Sequence, residues 1–169
     1  MEEIVIRQLE ESDAAEFLDI RLNALKSNPE AFATTYKELM DSGNPLEQLK
    51  KQLKSDQSFT YGAFINKQLV AIATIRLYAI EKMKHKGMLL GMFVSDQTRG
   101  LGVGKRLMQE VVKEARKIGL EQIQLMVVTT NKAGKAFYES LGFETYGIEN
   151  NAMKYNGEYW DEELMVLFL

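Results

Sequence analysis

Along this chain the spacing of apolar residues switches repeatedly between two periods, and the switches mark its elements. Residues 3–9 (EIVIRQL) alternate apolar and polar and predict a strand. Asp13, with Glu16 three positions on, predicts a capped helix start. That helix carries Phe17, Ile20 and Ala24 on one side, with Leu18, Leu22 and Leu25 close by, and Asn28-Pro29 breaks it. A short helical piece is expected around 30–38. Residues 41–45 (DSGNP) read as a loop, with Pro45 placed to start a helix through about residue 54.

Residues 58–66 (SFTYGAFIN) and 68–78 (QLVAIATIRLY) are rich in β-branched and aromatic side chains and predict a hairpin turning at Asn66-Lys67. Glu81 to Lys86 is a charged connector. Gly87 to Val94 is nearly all apolar, the pattern of a strand central in its sheet. Residues 102–118 give the clearest helix, with Val103, Leu107, Met108, Val111, Val112, Ala115 and Ile118 in one stripe. Glu110/Lys113 and Glu114/Lys117 pair on its wet face, and Gly119 stops it. Residues 121–129 predict a strand and 131–141 a helix ended by Gly142. The tail from Phe143 predicts two strands around Asn156-Gly157. The order β-α-α-β-β-β-α-β-α-β-β describes one α/β domain on a mixed sheet.

Composition removes several classes of function. A chain of 169 residues with 46% hydrophobic and 27% charged residues is an ordinary globular domain. Its net charge of −3 argues against a general nucleic-acid binder. With no cysteine and one histidine, disulfides, thiolate metal sites and multi-histidine metal sites are excluded. No metal cofactor is expected. The acidic start lacks the apolar core of a signal peptide, and no apolar run reaches membrane-spanning length, so the expected compartment is the cytoplasm, with no membrane partner.

The stretch GMFVSDQTRGLGVGKRLMQ (91–109) changes the picture most. Gly100, Gly102 and Gly104 alternate between an apolar strand and a helix, with Arg99, Lys105 and Arg106 beside them. A strand entering a helix through such a turn aims free backbone N–H groups and the positive end of the helix dipole at one spot, a cradle for phosphate or pyrophosphate. The plainer reading is a tight turn with surface cations. A nucleoside-triphosphate loop does not fit. Counting back from Gly104 puts Arg99 where its first glycine belongs and Arg106 where its magnesium-binding hydroxyl belongs. A dinucleotide fingerprint does not fit either, because the third glycine comes one residue early.

The order Arg99-x-x-Gly102-x-Gly104, following Val94 and running into Lys105-x-Leu107-Met108, resembles the Q/R-x-x-G-x-G/A signature of the GCN5-related N-acetyltransferase (GNAT) superfamily. A second block, from Asn131 through Phe137-Tyr138 to Gly142-Phe143, resembles that family's Asn…[LF]-Tyr…Gly-Phe block. Arg21-Leu-x-Ala-Leu25, Pro29-Glu-Ala-Phe32 and Gly157-Glu-Tyr-x-Asp161 are similar to one bacterial branch of small members. The resemblance spans the chain. It implies a single 1–169 domain of α+β type, with a central mixed, mostly antiparallel sheet of about seven strands and about four helices.

It further implies an N-acetyltransferase that binds acetyl-CoA as co-substrate and passes the acetyl group to a primary amine. The turn Arg99, Gly100, Leu101, Gly102, Val103, Gly104, Lys105 would hold the pyrophosphate. Backbone groups of Met92, Phe93 and Val94 would pair with the pantetheine arm, and Asn131 would contact that arm as well as capping its helix. Tyr138 would be the general acid that protonates the thiolate. No carboxylate appears within 87–94 or 123–130, so the base is left to water or to a residue elsewhere. His85, Glu81 and Glu38 are candidates, and His85 has the best-suited ordinary pKa. Arg21 sits in the apolar stripe of the first helix. It either meets an acidic substrate group or pairs with an internal carboxylate.

Phe32, Tyr36, Tyr155, Tyr159 and Trp160 can line an acceptor pocket or belong to the core. The missing central carboxylate is also consistent with a non-catalytic acyl-CoA-binding module. The apolar ending ELMVLFL can serve a homodimer or form an internal strand.

Overall fold

The computed structural model describes residues 3–169. Its strands are β1 (Ile4–Gln8), β2 (Ser58–Ile65), β3 (Gln68–Leu77), β4 (Lys86–Val94), β5 (Gln122–Val128), β6 (Glu144–Tyr155) and β7 (Glu158–Phe168). Its helices are α1 (Ala14–Ser27), α2 (Tyr36–Asp41), α3 (Pro45–Lys54), α4 (Val103–Lys117) and α5 (Lys132–Ser140). All seven strands join one sheet in the order β1-β2-β3-β4-β5-β7-β6. Every pairing is antiparallel except β4 with β5.

Two apolar layers cover the sheet. On one face α4 buries Val103, Leu107, Met108, Val111 and Ala115 against Ala63, Ala73, Leu125 and Met165. On the other, Phe17, Ile20 and Ala24 of α1 and Leu49 of α3 pack against Phe64, Ile72 and Phe93. Ile118 falls outside the predicted stripe. It lies beyond the last turn of α4 and is half exposed.

Turn chemistry places the hairpins where the sequence predicts them. Asn66 and Lys67 both take positive φ (50° and 67°), as do Asn156 and Gly157 (50° and 83°), the backbone that matches the twist of paired strands. The ending 163–169 is not a free edge. Through Phe168 it belongs to β7, held between β5 and β6.

Two local expectations need correction. Five helices form rather than four, because the stretch around 30–38 divides into a 3-10 turn at Pro29–Ala31 and the separate helix α2. The division occurs at Thr35, whose Oγ1 accepts from the Glu38 N–H at 3.1 Å while the Glu38 carboxylate accepts from the Thr35 N–H at 2.8 Å. Asp13 does not cap α1 with its side chain. Its carboxylate instead accepts the Glu10 N–H (2.7 Å) and both outer nitrogens of Arg7 (2.7 and 2.8 Å), tying β1 to the helix entrance.

Candidate active site

The parallel pairing of β4 and β5 is short. Lys86, Gly87 and Met88 face Gln122, Ile123 and Gln124, and no pairing continues beyond Met88 and Gln124. Past that point the two strands part. The edge of β4 facing β5 is therefore without a ladder from Leu89 onward. On its other side β4 stays paired with β3, but with a bulge. Leu90 faces Thr74 and Phe93 faces Ile72, so Gly91 and Met92 share one partner position. Gly91 takes φ +59°, the left-handed backbone that favours glycine.

The opening between the parted strands is a cleft of about 910 Å³. Met92, Phe93 and Val94 line its strand wall, and Thr98, Arg99, Gly100, Gly102, Val103, Gly104 and Lys105 its turn. Thr130, Asn131, Gly134, Phe137 and Tyr138 form the α5 side, and Asn28, Glu30 and Phe32 close the rim. Sequence reasoning did not single out Asn28, Glu30, Thr98 or Thr130 as site residues. Short polar residues in loops carry no periodic signal.

The three glycines of the turn have different causes. Gly100 and Gly102 take φ +81° and +76°, and a Cβ on either would meet no protein atom within 4 Å. They are glycines for backbone conformation, and their open side is space. Gly104 is helical and buried, and a Cβ there would lie 3.1 Å from Val94 Cγ2 and 3.4 Å from Phe137 Cζ. It lets α4 approach β4 and α5 closely.

No side chain caps α4 at Gly102, and the first helical bond runs from the Arg106 N–H to the Gly102 carbonyl at 3.1 Å. The N–H groups of the first turn are thus left for a ligand, at the positive end of a helix of 15 residues. Arg99 braces the turn. Its Nε donates to the Val94 carbonyl (3.2 Å) and its Nη1 pairs with Asp96 (2.8 Å). Lys105 lines the cleft without an ion pair among the described residues. Leu101 does not line it and is 63% exposed.

Asn131 caps α5, its Oδ1 accepting from the Gly134 N–H at 2.9 Å. The other end of α5 closes in a Schellman turn. The Phe143 N–H reaches the Tyr138 carbonyl (3.1 Å) and the Gly142 N–H the Glu139 carbonyl (3.0 Å), with Gly142 at φ +94°. The aromatic contact that accompanies such a turn is Phe143 edge-on to Tyr138, centroids 5.8 Å apart, and Phe137 flanks Tyr138 at 5.4 Å. The Asn…Phe-Tyr…Gly-Phe spacing is therefore a helix with both caps specified, which fixes Tyr138 beside the cleft. Burial holds its phenol well above the usual range, so it stays protonated at neutral pH. Its hydroxyl makes no hydrogen bond with any described residue.

The structure does not bring the three candidate bases to this cleft. His85 precedes β4 at the far end, where its carbonyl accepts the Glu121 N–H. The strand from there to Met92 spans about 20 Å. Glu81 is exposed and paired with Lys84 at 2.7 Å. Glu38 is used by the Thr35 cap, which holds its carboxyl below the usual range. Tyr155 sits with Thr35, Lys37, Glu38 and Asp41 around a second, smaller hollow. Lys26 lies over the Tyr36 ring, and Lys154 over that of Tyr159. Trp160 is half-buried on β7, opposite Met153.

One carboxylate on the neighbouring strand β7 is held above its usual range, although it does not itself line the cleft. Glu162 of β7 faces Val128 of β5 and Glu149 of β6. Its neighbour Glu163 points to the α5 face, where it accepts from Thr145 and pairs with Lys135. Strand alternation puts Glu162 on the opposite face, the one that α1 covers further along the sheet. Burial, then Glu149, raises its carboxyl above the usual range. Periodicity does not reveal it, since Asp161-Glu162-Glu163 reads as a solvated run.

The profile of the acetyltransferase (GNAT) domain matches residues 6–164. The chain belongs to the GNAT acetyltransferase family. The probable N-acetyltransferase YjcK of Bacillus subtilis (strain 168) is 23% identical over 172 residues, covering 97% of this chain and 93% of that protein. The crystal structure of a GNAT-family acetyltransferase from Streptococcus pneumoniae superposes with a TM-score of 0.84, at 27% identity over 99% of both chains. The structure of yncA from Salmonella typhimurium, which contains its cofactor acetyl-CoA, has a TM-score of 0.82 at 18% identity, covering 98% of this chain and 94% of that one.

Proposed function

We propose that this GNAT protein transfers the acetyl group of acetyl-CoA to a primary amine, by direct attack in a ternary complex. The observation that carries this reading is the alignment of two unpaired backbone surfaces in one cleft: the β4 edge beyond Met88 and the first turn of α4. A pyrophosphate takes the N–H groups of Val103, Gly104 and Lys105 and the charge of Lys105. A pantetheine arm carries amide groups that can bond to β4 around Met92 to Val94 as a short extra strand. Asn131, on the opposite wall, presents its side-chain amide to the same arm.

In the transfer, the amine nitrogen bonds to the thioester carbon and the carbon–sulfur bond breaks. One proton leaves the nitrogen and one reaches the sulfur. A backbone N–H at the β4 bulge would stabilise the carbonyl oxygen as it gains charge. Tyr138, kept protonated by burial, supplies the sulfur's proton. Glu162, its carboxyl raised by burial, is the candidate to take the nitrogen's proton through intervening water. With no cysteine in the chain, no cysteinyl acyl-enzyme competes with direct attack.

The test is thiol release from acetyl-CoA over a set of amines, with Tyr138→Phe alongside. The enzyme reading expects kcat to fall about 10- to 100-fold in the variant with acetyl-CoA affinity within about 2-fold. Acetyl-CoA binding with no turnover of any amine would leave a non-catalytic acyl-CoA-binding module instead.

A further inference from the structure

Among the described residues the Arg21 side chain has no hydrogen-bond or ion-pair partner. Its Nε is the one buried side-chain nitrogen or oxygen that lacks a hydrogen bond among the described residues. The guanidinium makes no ion pair with any described carboxylate, although the chain holds 24 Asp and Glu residues. The internal-carboxylate explanation offered by the sequence is thus not what the structure shows. A buried N–H left unpaired costs about 1–3 kcal/mol, and desolvation without a counter-charge pulls the guanidinium below its ordinary pKa. An unliganded protein carries that cost where a ligand removes it.

The position is specific. Arg21 lies on α1 between Ile20 and Ala24, two residues that pack into the core with Phe93. Its Nη1 reaches β4, where a Cβ built on Gly91 would stand only 3.5 Å away. Gly91 is the bulge residue next to Met92, so the guanidinium stands over the point where the cleft's strand wall begins. The glycine turn lies at the other end of that wall, eight residues beyond Gly91 at Arg99 and past the end of β4. The phosphates held there are out of reach of Arg21. The thioester and pantetheine placed along β4 are uncharged, so the anion left for Arg21 is one carried by the acceptor.

We infer that Arg21 receives a carboxylate of the acceptor, so that the substrate is a small amino acid or a close analogue, with its amine a few bonds from an acid group. The guanidinium fork matches a planar carboxylate with two parallel N–H bonds, which a lysine at this place would not reproduce. The glycine at position 91 leaves space in front of the fork. An acceptor lacking the acid leaves the buried Nε unpaired, which gives the site its discrimination. This inference rests on the acetyl-transfer reading for the identity of the ligand, but not for the presence of the anion site.

The experiment has two arms on the full chain. The first compares kcat/KM for L-amino acids, β-alanine and 4-aminobutyrate with the corresponding carboxamides, at saturating acetyl-CoA. The amine of an amide is the less basic, so intrinsic reactivity favours the amide. A preference of at least 10-fold for one or more acids, falling below 3-fold in Arg21→Met and partly kept in Arg21→Lys, is the expected result. Equal use of acids and amides, or an unchanged preference in Arg21→Met, overturns the inference.

The second arm needs no turnover. The Arg21 Nε–H resonance, assigned by its loss in Arg21→Lys, is followed while CoA-saturated protein is titrated with sodium acetate against sodium chloride at equal ionic strength. A saturable shift with acetate alone is expected, and a response identical to chloride overturns the anion site. If no amine is acetylated yet the resonance titrates, the acetyl-transfer reading fails and the carboxylate site stands.

Discussion

Met88 of β4 and Gln124 of β5 are the last residues to face each other across the one parallel pairing among the described residues. The cleft depends on what happens one residue later. Had the ladder continued, the β4 edge would be spent on β5 and no cleft would lie between them. Because it stops, a strand edge and a helix N-terminus are both free, a few residues apart in the chain and facing one ligand.

The glycines of the turn can be separated by their different causes. Gly102→Val puts a β-branched side chain on left-handed backbone and into the open cleft. It should weaken acetyl-CoA binding at least about 10-fold while lowering the melting temperature by a few degrees. Gly104→Val adds bulk 3.1 Å from Val94 in a packed contact. It should cost about 1–3 kcal/mol of stability as well as affinity. Thermal melting and calorimetry on both variants check this. Undiminished acetyl-CoA affinity in Gly102→Val, or undiminished stability in Gly104→Val, would contradict the distinction.

Glu162 gives a signed pH dependence. It accepts a proton only when ionised, and its carboxyl is raised by burial. The rate should therefore climb as pH rises through that raised value, and Glu162→Gln should lower the rate and flatten the climb. Stability moves the other way. A carboxyl raised on folding binds its proton more tightly in the native state, so its contribution is lost as pH rises. Glu162→Gln should melt higher than the parent at pH 8. A variant with an unchanged pH–rate profile would remove Glu162 from the mechanism.

Much of this was legible in the sequence. The glycine turn, the apolar stripe of α4 and the two-capped α5 with Tyr138 depend on local spacing, and local spacing is what a sequence displays. The end of the β4–β5 ladder does not, because both strands read as continuously apolar and register is decided by the whole sheet. Glu162 was hidden for the same reason: strand order puts β7 beside β5, far from its chain neighbours. His85 stands out in the sequence only as the chain's one histidine, and the fold leaves it at the other end of β4. Arg21 interrupts an apolar stripe in the sequence, but only the packing of α1 on β4 shows that no described carboxylate answers it.

The Arg7–Asp13 pair tests the fold rather than the chemistry. Arg7 and the Glu10 N–H hold the Asp13 carboxyl below its ordinary value. Its stabilising effect is complete above the unfolded pKa and is lost as pH falls through the lowered one. Asp13→Asn should cost about 1 kcal/mol at pH 7, modest because Arg7 is half exposed, and the gap should close in acid. Chemical denaturation at pH 7 and below pH 3 checks the sign. A gap that widened in acid would contradict it.

The most direct test of the central claim is a calorimetric titration of the purified protein with acetyl-CoA, with ATP and NAD as controls. The uncapped turn of α4 and the open edge of β4 predict saturable binding in the micromolar range for acetyl-CoA, lost in Gly102→Val, and none for ATP or NAD. No heat with acetyl-CoA, or equal binding of all three, would contradict the reading of the cleft.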